Sequence, residues 1–115
     1  MEAVREKKCV PCAKGAPPAS EAQVSDFLKS HAGWEWEKGQ EPKLKKMFKF
    51  RDFRTALEFT NEIGRIAEEQ NHHPSLLTAW GSVTVMWWTH KIRNIHSNDL
   101  IMAEMTDTVY DEFGK

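Results

Sequence analysis

The stretch His72-His73-Pro74-Ser75-Leu76-Leu77-Thr78-Ala79-Trp80-Gly81-Ser82-Val83-Thr84-Val85-Met86-Trp87-Trp88-Thr89-His90 decides the reading of the fold. Pro74 forbids the continuation of any helix before it and pushes His73 toward an extended conformation. Beyond it stand two short runs rich in β-branched and aromatic residues, 76–80 and 83–90, separated by a Gly81-Ser82 turn, which together read as a β-hairpin. In the second run Val83, Val85 and Trp87 share one face, as core residues do. Met86, Trp88 and His90 share the other, which reads as open to solvent, a partner subunit or a flat ligand.

Working outward, Asp52 can cap a long helix in which Ala56, Leu57, Phe59, Ile63, Ile66 and Ala67 keep helical period. Gly64 costs stability inside it unless it permits close packing. Upstream, Ser20 and Gln23 form a capping box, and Val24, Phe27, Leu28 and His31 fall on one stripe until Gly33 stops the helix. Trp34-Glu35-Trp36-Glu37 then alternates with period two. A turn surrounds Gly39, and residues 43–51 place Leu44, Phe48 and Phe50 on one face, so a first hairpin is expected. Downstream, Ser97 or Asn98 caps a last helix with Ile101, Met105, Thr108 and Val109 on one side, and Asp99 in its first turn complements the helix dipole. The order α-β-β-α-β-β-α predicts an α+β domain over 20–115: a four-stranded antiparallel sheet with helices packed on one face. Residues 1–19, rich in proline and glycine, read as a flexible arm.

A length of 115 residues allows one domain, and 40% hydrophobic with 29% charged residues is an ordinary globular composition. No run approaches the roughly 20 apolar residues that span a bilayer, and no secretory signal is visible, so no membrane partner is expected. A formal net charge of -1 removes the basic surplus that nucleic-acid binding needs. The local cluster Lys43, Lys45, Lys46, Lys49 and Arg51 reads as the wet face of a strand. Two cysteines point to a reducing, cytoplasmic setting. They form a lone Cys-x-x-Cys, Cys9 to Cys12, with no second pair to close a zinc site and no helix to make a redox motif. An inert arm is the plain reading, with metal scavenging or dimerisation as alternatives.

Of five histidines, His72, His73 and His90 sit at element ends. Glu68 and His72 are four apart, so on a continuous helix they meet and the carboxylate fixes the imidazole tautomer. The hairpin returns His90 to the neighbourhood of the adjacent pair. A solvated partner for the helix dipole explains any one of these rings, and a polar helix ending explains two. Zinc lacks its usual His-x-x-x-His spacing. A converging trio fits acid–base chemistry.

Glu68-x-x-x-His72-His73-Pro74, followed by Trp80, His90 and Asp99, resembles the signature of the pterin-4a-carbinolamine dehydratases. Gly33-Trp34 and Phe48-x-Phe50-x-Asp52-Phe53 extend the likeness, and the Cys-x-x-Cys arm is similar to that of bacterial and plant-like members. The resemblance implies a lyase that removes water from 4a-hydroxytetrahydropterin, left by aromatic amino acid hydroxylases, to give quinonoid dihydropterin, with no cofactor and no metal. It implies His72, His73 and His90 as the catalytic trio, Glu68 and Asp99 as supporting groups, and Asn71 and Pro74 as substrate contacts. Asn71 stands where animal members carry Asp, and Asn98 where they carry Arg. Elimination needs one proton delivered to the departing hydroxide and one taken from N5. Imidazole, with an unperturbed pKa of about 6.5, does either. His72 and His90 are then the acid–base pair and His73 a polarising or binding group. Dimers or tetramers are implied as well. Two other readings stand beside this one: an interaction module that stabilises dimers of a homeodomain transcription factor, and a pterin step in molybdenum-cofactor metabolism.

Overall fold

The computed structural model describes residues 17–113. Cys9, Cys12 and most of the expected arm lie outside the described residues. Ala19 is tied down, its N–H donating to the Ile95 carbonyl at 2.8 Å.

Helix α1 (Glu21–Ser30) starts on the expected capping box: the Ser20 hydroxyl accepts from the Gln23 N–H at 3.1 Å, and Gln23 accepts from the Ser20 N–H at 2.8 Å. Gly33, at φ +94°, turns the chain into β1 (Glu35–Glu37), which pairs antiparallel with β2 (Lys43–Lys49). Asp52 caps α2 (Phe53–Gln70), accepting from the Thr55 N–H at 2.8 Å. A two-residue turn, Trp80-Gly81, joins β3 (Ser75–Ala79) to β4 (Ser82–Trp87), so the turn sits one residue earlier than the sequence implied. Gly81, at φ +76°, is the residue that lets it close so tightly. A single 3₁₀ turn (His90–Ile92) and α3 (Ser97–Glu112) complete the chain.

The strands are ordered β1-β2-β4-β3, all antiparallel. Leu44, Phe48, Val83, Val85 and Trp87 are buried on the face that α2 and α3 cover. Each such side chain contributes roughly 1.5–3 kcal/mol of transfer free energy. Met47 and Leu77 lie on the opposite, open face. The α+β architecture and element order are as the sequence predicts. Among the described residues no helix is long and apolar enough to cross a membrane.

Four local expectations are corrected. Lys46 is not on the wet face: strand parity puts it between Leu44 and Phe48, where its ammonium pairs with Asp107 at 2.7 Å and lies 4.8 Å from the Phe48 ring. Leu57 lies beside the α2 stripe, not in it, and is exposed. A Cβ on Gly64 would meet open space, so close packing is not its reason. The N-cap of α3 is His96 rather than Ser97 or Asn98. Its Nδ1 accepts from the Asn98 N–H at 3.0 Å, while the Asp99 carboxylate accepts from the His96 N–H at 2.8 Å, a capping box built on an imidazole.

Candidate active site

The end of α2 fixes everything that follows. Asn71 adopts the left-handed conformation, φ 53° and ψ 42°. The Asn71 N–H donates to the Glu68 carbonyl and the His72 N–H to the Ala67 carbonyl at 3.0 Å, the Schellman closure. The helix therefore stops at Gln70, before Pro74 is reached. The reversal also undoes the expected Glu68–His72 pair, because i,i+4 contact requires a helix that continues through His72. Glu68 instead meets His73, whose Nε2 bonds its carboxylate at the exposed end of α2.

His72 turns inward. Its Nε2 lies 2.6 Å from Asp99 Oδ1, and its ring stacks on Trp87 at 5.9 Å between centroids and 7° between planes. Asp99 is fully buried. Its Oδ2 accepts from the Thr89 hydroxyl at 2.8 Å as well as from the His96 N–H. A carboxylate only accepts, so His72 carries its proton on Nε2. Nδ1 then holds the free lone pair. Among the described residues nothing bonds that nitrogen, and it is not sealed from solvent. The result is a histidine whose tautomer is fixed and whose second nitrogen is left unbonded, the arrangement by which a buried carboxylate orients an imidazole for acid–base work.

His90 lies just past β4, at the start of the 3₁₀ turn, not at the end of the strand. Pairing of Ser75 with Met86 aligns the approach to β3 with the end of β4, and Asp99 then links His72 to Thr89, the neighbour of His90. The His90 ring itself packs on Trp88, 4.4 Å between centroids. Trp88 is buried, not open as its strand face implied: Lys43 sits 4.2 Å above its ring and Glu41 accepts from its indole N–H at 3.1 Å. Thus each of the three imidazoles has its own partner, Asp99, Glu68 or Trp88, and among the described residues none of the three rings stacks on or bonds to another. Asn71 is exposed at the helix cap, and Pro74 is half-buried ahead of β3. Among the described residues no three His, Cys, Asp or Glu side chains gather as a metal site would require.

Sequence reasoning missed Thr89 and His96. The first shows no spacing signal of its own. The second was findable as a capping box with histidine in the position that Ser or Thr usually fills.

Fold and site together define an α+β protein whose helix-to-strand junction carries a histidine–carboxylate dyad. The profile of the family described as pterin 4 alpha carbinolamine dehydratase matches residues 17–109, and the chain belongs to that family. It is similar to a protein of Syntrophotalea carbinolica, 44% identical over 112 residues, spanning 96% of this chain and all of the other. It also resembles one of Chlorobaculum tepidum, 45% identical over 93% of this chain and 97% of the other. Both are named, as provisional assignments, pterin-4-alpha-carbinolamine dehydratases. Among solved structures, the transcriptional coactivator/pterin dehydratase from Brucella melitensis superposes with a TM-score of 0.75 at 29% identity, covering 82% of this chain and 99% of that one. A pterin dehydratase-like RuBisCO assembly factor of the alpha-carboxysome shares the fold, with a TM-score of 0.60 at 20% identity over 70% of this chain and 92% of its own.

Proposed function

We propose that this protein is a hydro-lyase that dehydrates a 4a-hydroxytetrahydropterin to the quinonoid dihydropterin, in the tetrahydropterin recycling that follows aromatic amino acid hydroxylation in the cytoplasm. The observation that carries the reading is the 2.6 Å contact of His72 Nε2 with a buried, fully bonded Asp99, which leaves Nδ1 as a base or, once protonated, an acid. In the elimination the N5–H bond breaks and its proton passes to one imidazole. The N5 electron pair forms the C4a=N5 bond, the C4a–O bond breaks, and a second imidazole protonates the departing hydroxide, so water leaves and no electrons are exchanged with the protein. His72 and His90 are the acid–base pair. His73, held by Glu68, polarises or binds the ring, with Asn71 and Pro74 as flanking contacts.

The test is stopped-flow dehydration of chemically generated carbinolamine, with EDTA present. His72→Ala and His90→Ala each lower the rate by about 10²-fold or more, while circular dichroism shows intact folds. Near-wild-type turnover in both would overturn the assignment. EDTA leaves the rate unchanged, because the N5 lone pair expels the hydroxyl without an electrophilic ion.

Self-association belongs to the same reading. Edge strand β3 has no neighbour on one side among the described residues, and Leu77 within it and Trp80 in the turn that follows are 62% and 75% exposed, an open edge that a second copy can pair.

A further inference from the structure

No step of the elimination uses His96, yet this histidine is buried at the N-cap of α3, three residues before Asp99. We infer that His96 is a proton-sensitive positioning residue. Neutral, it holds Asp99, and through it His72, in working order; protonated, it releases both. The inference rests on the dehydratase reading and adds a regulation of that same site.

The His96 Nδ1 accepts from the Asn98 N–H at 3.0 Å, and a backbone N–H can only donate. Nδ1 must therefore be bare for the cap to exist. The Ser97 hydroxyl, 3.4 Å from the same nitrogen, can face either form of the ring, but the Asn98 N–H can face only one. A proton on Nδ1 sets N–H against N–H and adds a positive charge at the positive end of the helix dipole. The ring must then turn away, and the turn that it anchors loosens with it. Serine, threonine or asparagine would cap through an oxygen that stays bare near neutrality. Imidazole is the capping group whose acceptor a proton can block between about pH 5 and 8.

That turn carries the carboxylate of the site. The His96 N–H and the Thr89 hydroxyl each donate to Asp99 Oδ2 at 2.8 Å, while Oδ1 lies 2.6 Å from Nε2 of His72. Among the described residues, the titratable groups facing the turn are Asp99, on α3 itself, and His72, bonded to Asp99 from beyond the end of α2. The chain past β4 contributes the uncharged Thr89 hydroxyl, and the segment before α1 meets Ile95 through the Ala19 N–H. When the His96 N–H swings away, Oδ2 keeps one of its two donors. The buried carboxylate is then less firmly oriented, and the Nε2–H tautomer of His72 loses the fixed acceptor that selects it.

The experiment follows kcat/KM for carbinolamine dehydration against pH, using the full chain. Wild type is set beside His96→Asn, whose amide oxygen takes the Asn98 N–H without titrating, and His96→Ala, which has no acceptor at any pH. At neutral pH His96→Asn turns over within about threefold of wild type, and His96→Ala falls by about tenfold, the rate equivalent of a lost cap. On the acid side the wild-type rate falls more steeply than that of His96→Asn, because protons taken up by His72 and by His96 both count. Two-bond proton–nitrogen NMR spectra at neutral pH read the His72 ring directly: wild type and His96→Asn carry the proton on Nε2, and His96→Ala shows a mixture of tautomers. The acid limbs compare two capped proteins, so they decide the question even if His96→Ala fails to fold. Parallel acid limbs for wild type and His96→Asn, or an unmixed Nε2–H signature in folded His96→Ala, would overturn the inference while the dehydratase reading stands. No turnover by wild type at any pH would overturn that reading, and the spectra alone would then decide whether His96 governs His72.

Discussion

Both oxygens of Asp99 are occupied, one by His72 and the other by the Thr89 hydroxyl and the His96 N–H. This single buried side chain therefore caps α3, holds the chain beside His90 and sets the tautomer of His72. Replacing it with asparagine keeps the volume but turns one oxygen into a donor, which one of these three donors must then face. Asp99→Asn lowers the dehydration rate by about 10–100-fold and displaces the pH profile of kcat/KM, a change that loosening of the fold alone would not produce. Measurement of that profile beside a urea titration separates the two effects. Glu68 holds His73 at the surface, where solvent competes with their hydrogen bond, so Glu68→Gln has a smaller effect on rate than Asp99→Asn.

At the scale of elements, the end of α2 is the decisive joint. Asn71 holds a left-handed conformation that β-branched residues resist. Asn71→Val costs about 1–2 kcal/mol in urea unfolding, whereas Asn71→Gly stays within a few tenths. Equal stability in the two variants would show that the cap is not what ends the helix. The start of α2 gives a pH-dependent counterpart. The backbone N–H of Thr55, and then its side chain, hold the Asp52 carboxyl below the usual aspartate range. A carboxyl whose pKa is depressed on folding stabilises the protein above its unfolded value and loses that contribution as pH falls through the lower, folded value. Wild type therefore melts at a higher temperature than Asp52→Asn at neutral pH, and the gap narrows as the solution is acidified below about pH 4. A gap that widened in acid would contradict the cap.

For the whole molecule, the one-sided packing of helices leaves the opposite sheet face and the β3 edge open. Leu77 is the large apolar side chain exposed within that strand. A charge there blocks edge pairing, so Leu77→Lys elutes as a smaller species than wild type in gel filtration. Unchanged elution of an oligomer would place its contact elsewhere.

The element order and both first-turn caps at Ser20 and Asp52 were readable along the chain, because capping, turn chemistry and apolar period are local and each is set within a few residues. The family signature was readable for the same reason, its histidines and carboxylates standing at fixed separations. What local pattern misjudged was partnership. Glu68 was matched with His72 on the assumption of a continuing helix, and one left-handed residue passed the contact to His73 and sent His72 to Asp99, 27 positions away. Trp88 was read as open because strand parity names a face but not what covers it, and the cover is Lys43 and Glu41 from another hairpin. Sequence by itself determined the order of the elements and the fixed separations of the histidines and carboxylates along them. Only tertiary structure decided which partner each imidazole meets, since that choice rests on contacts between segments that no spacing along the chain encodes.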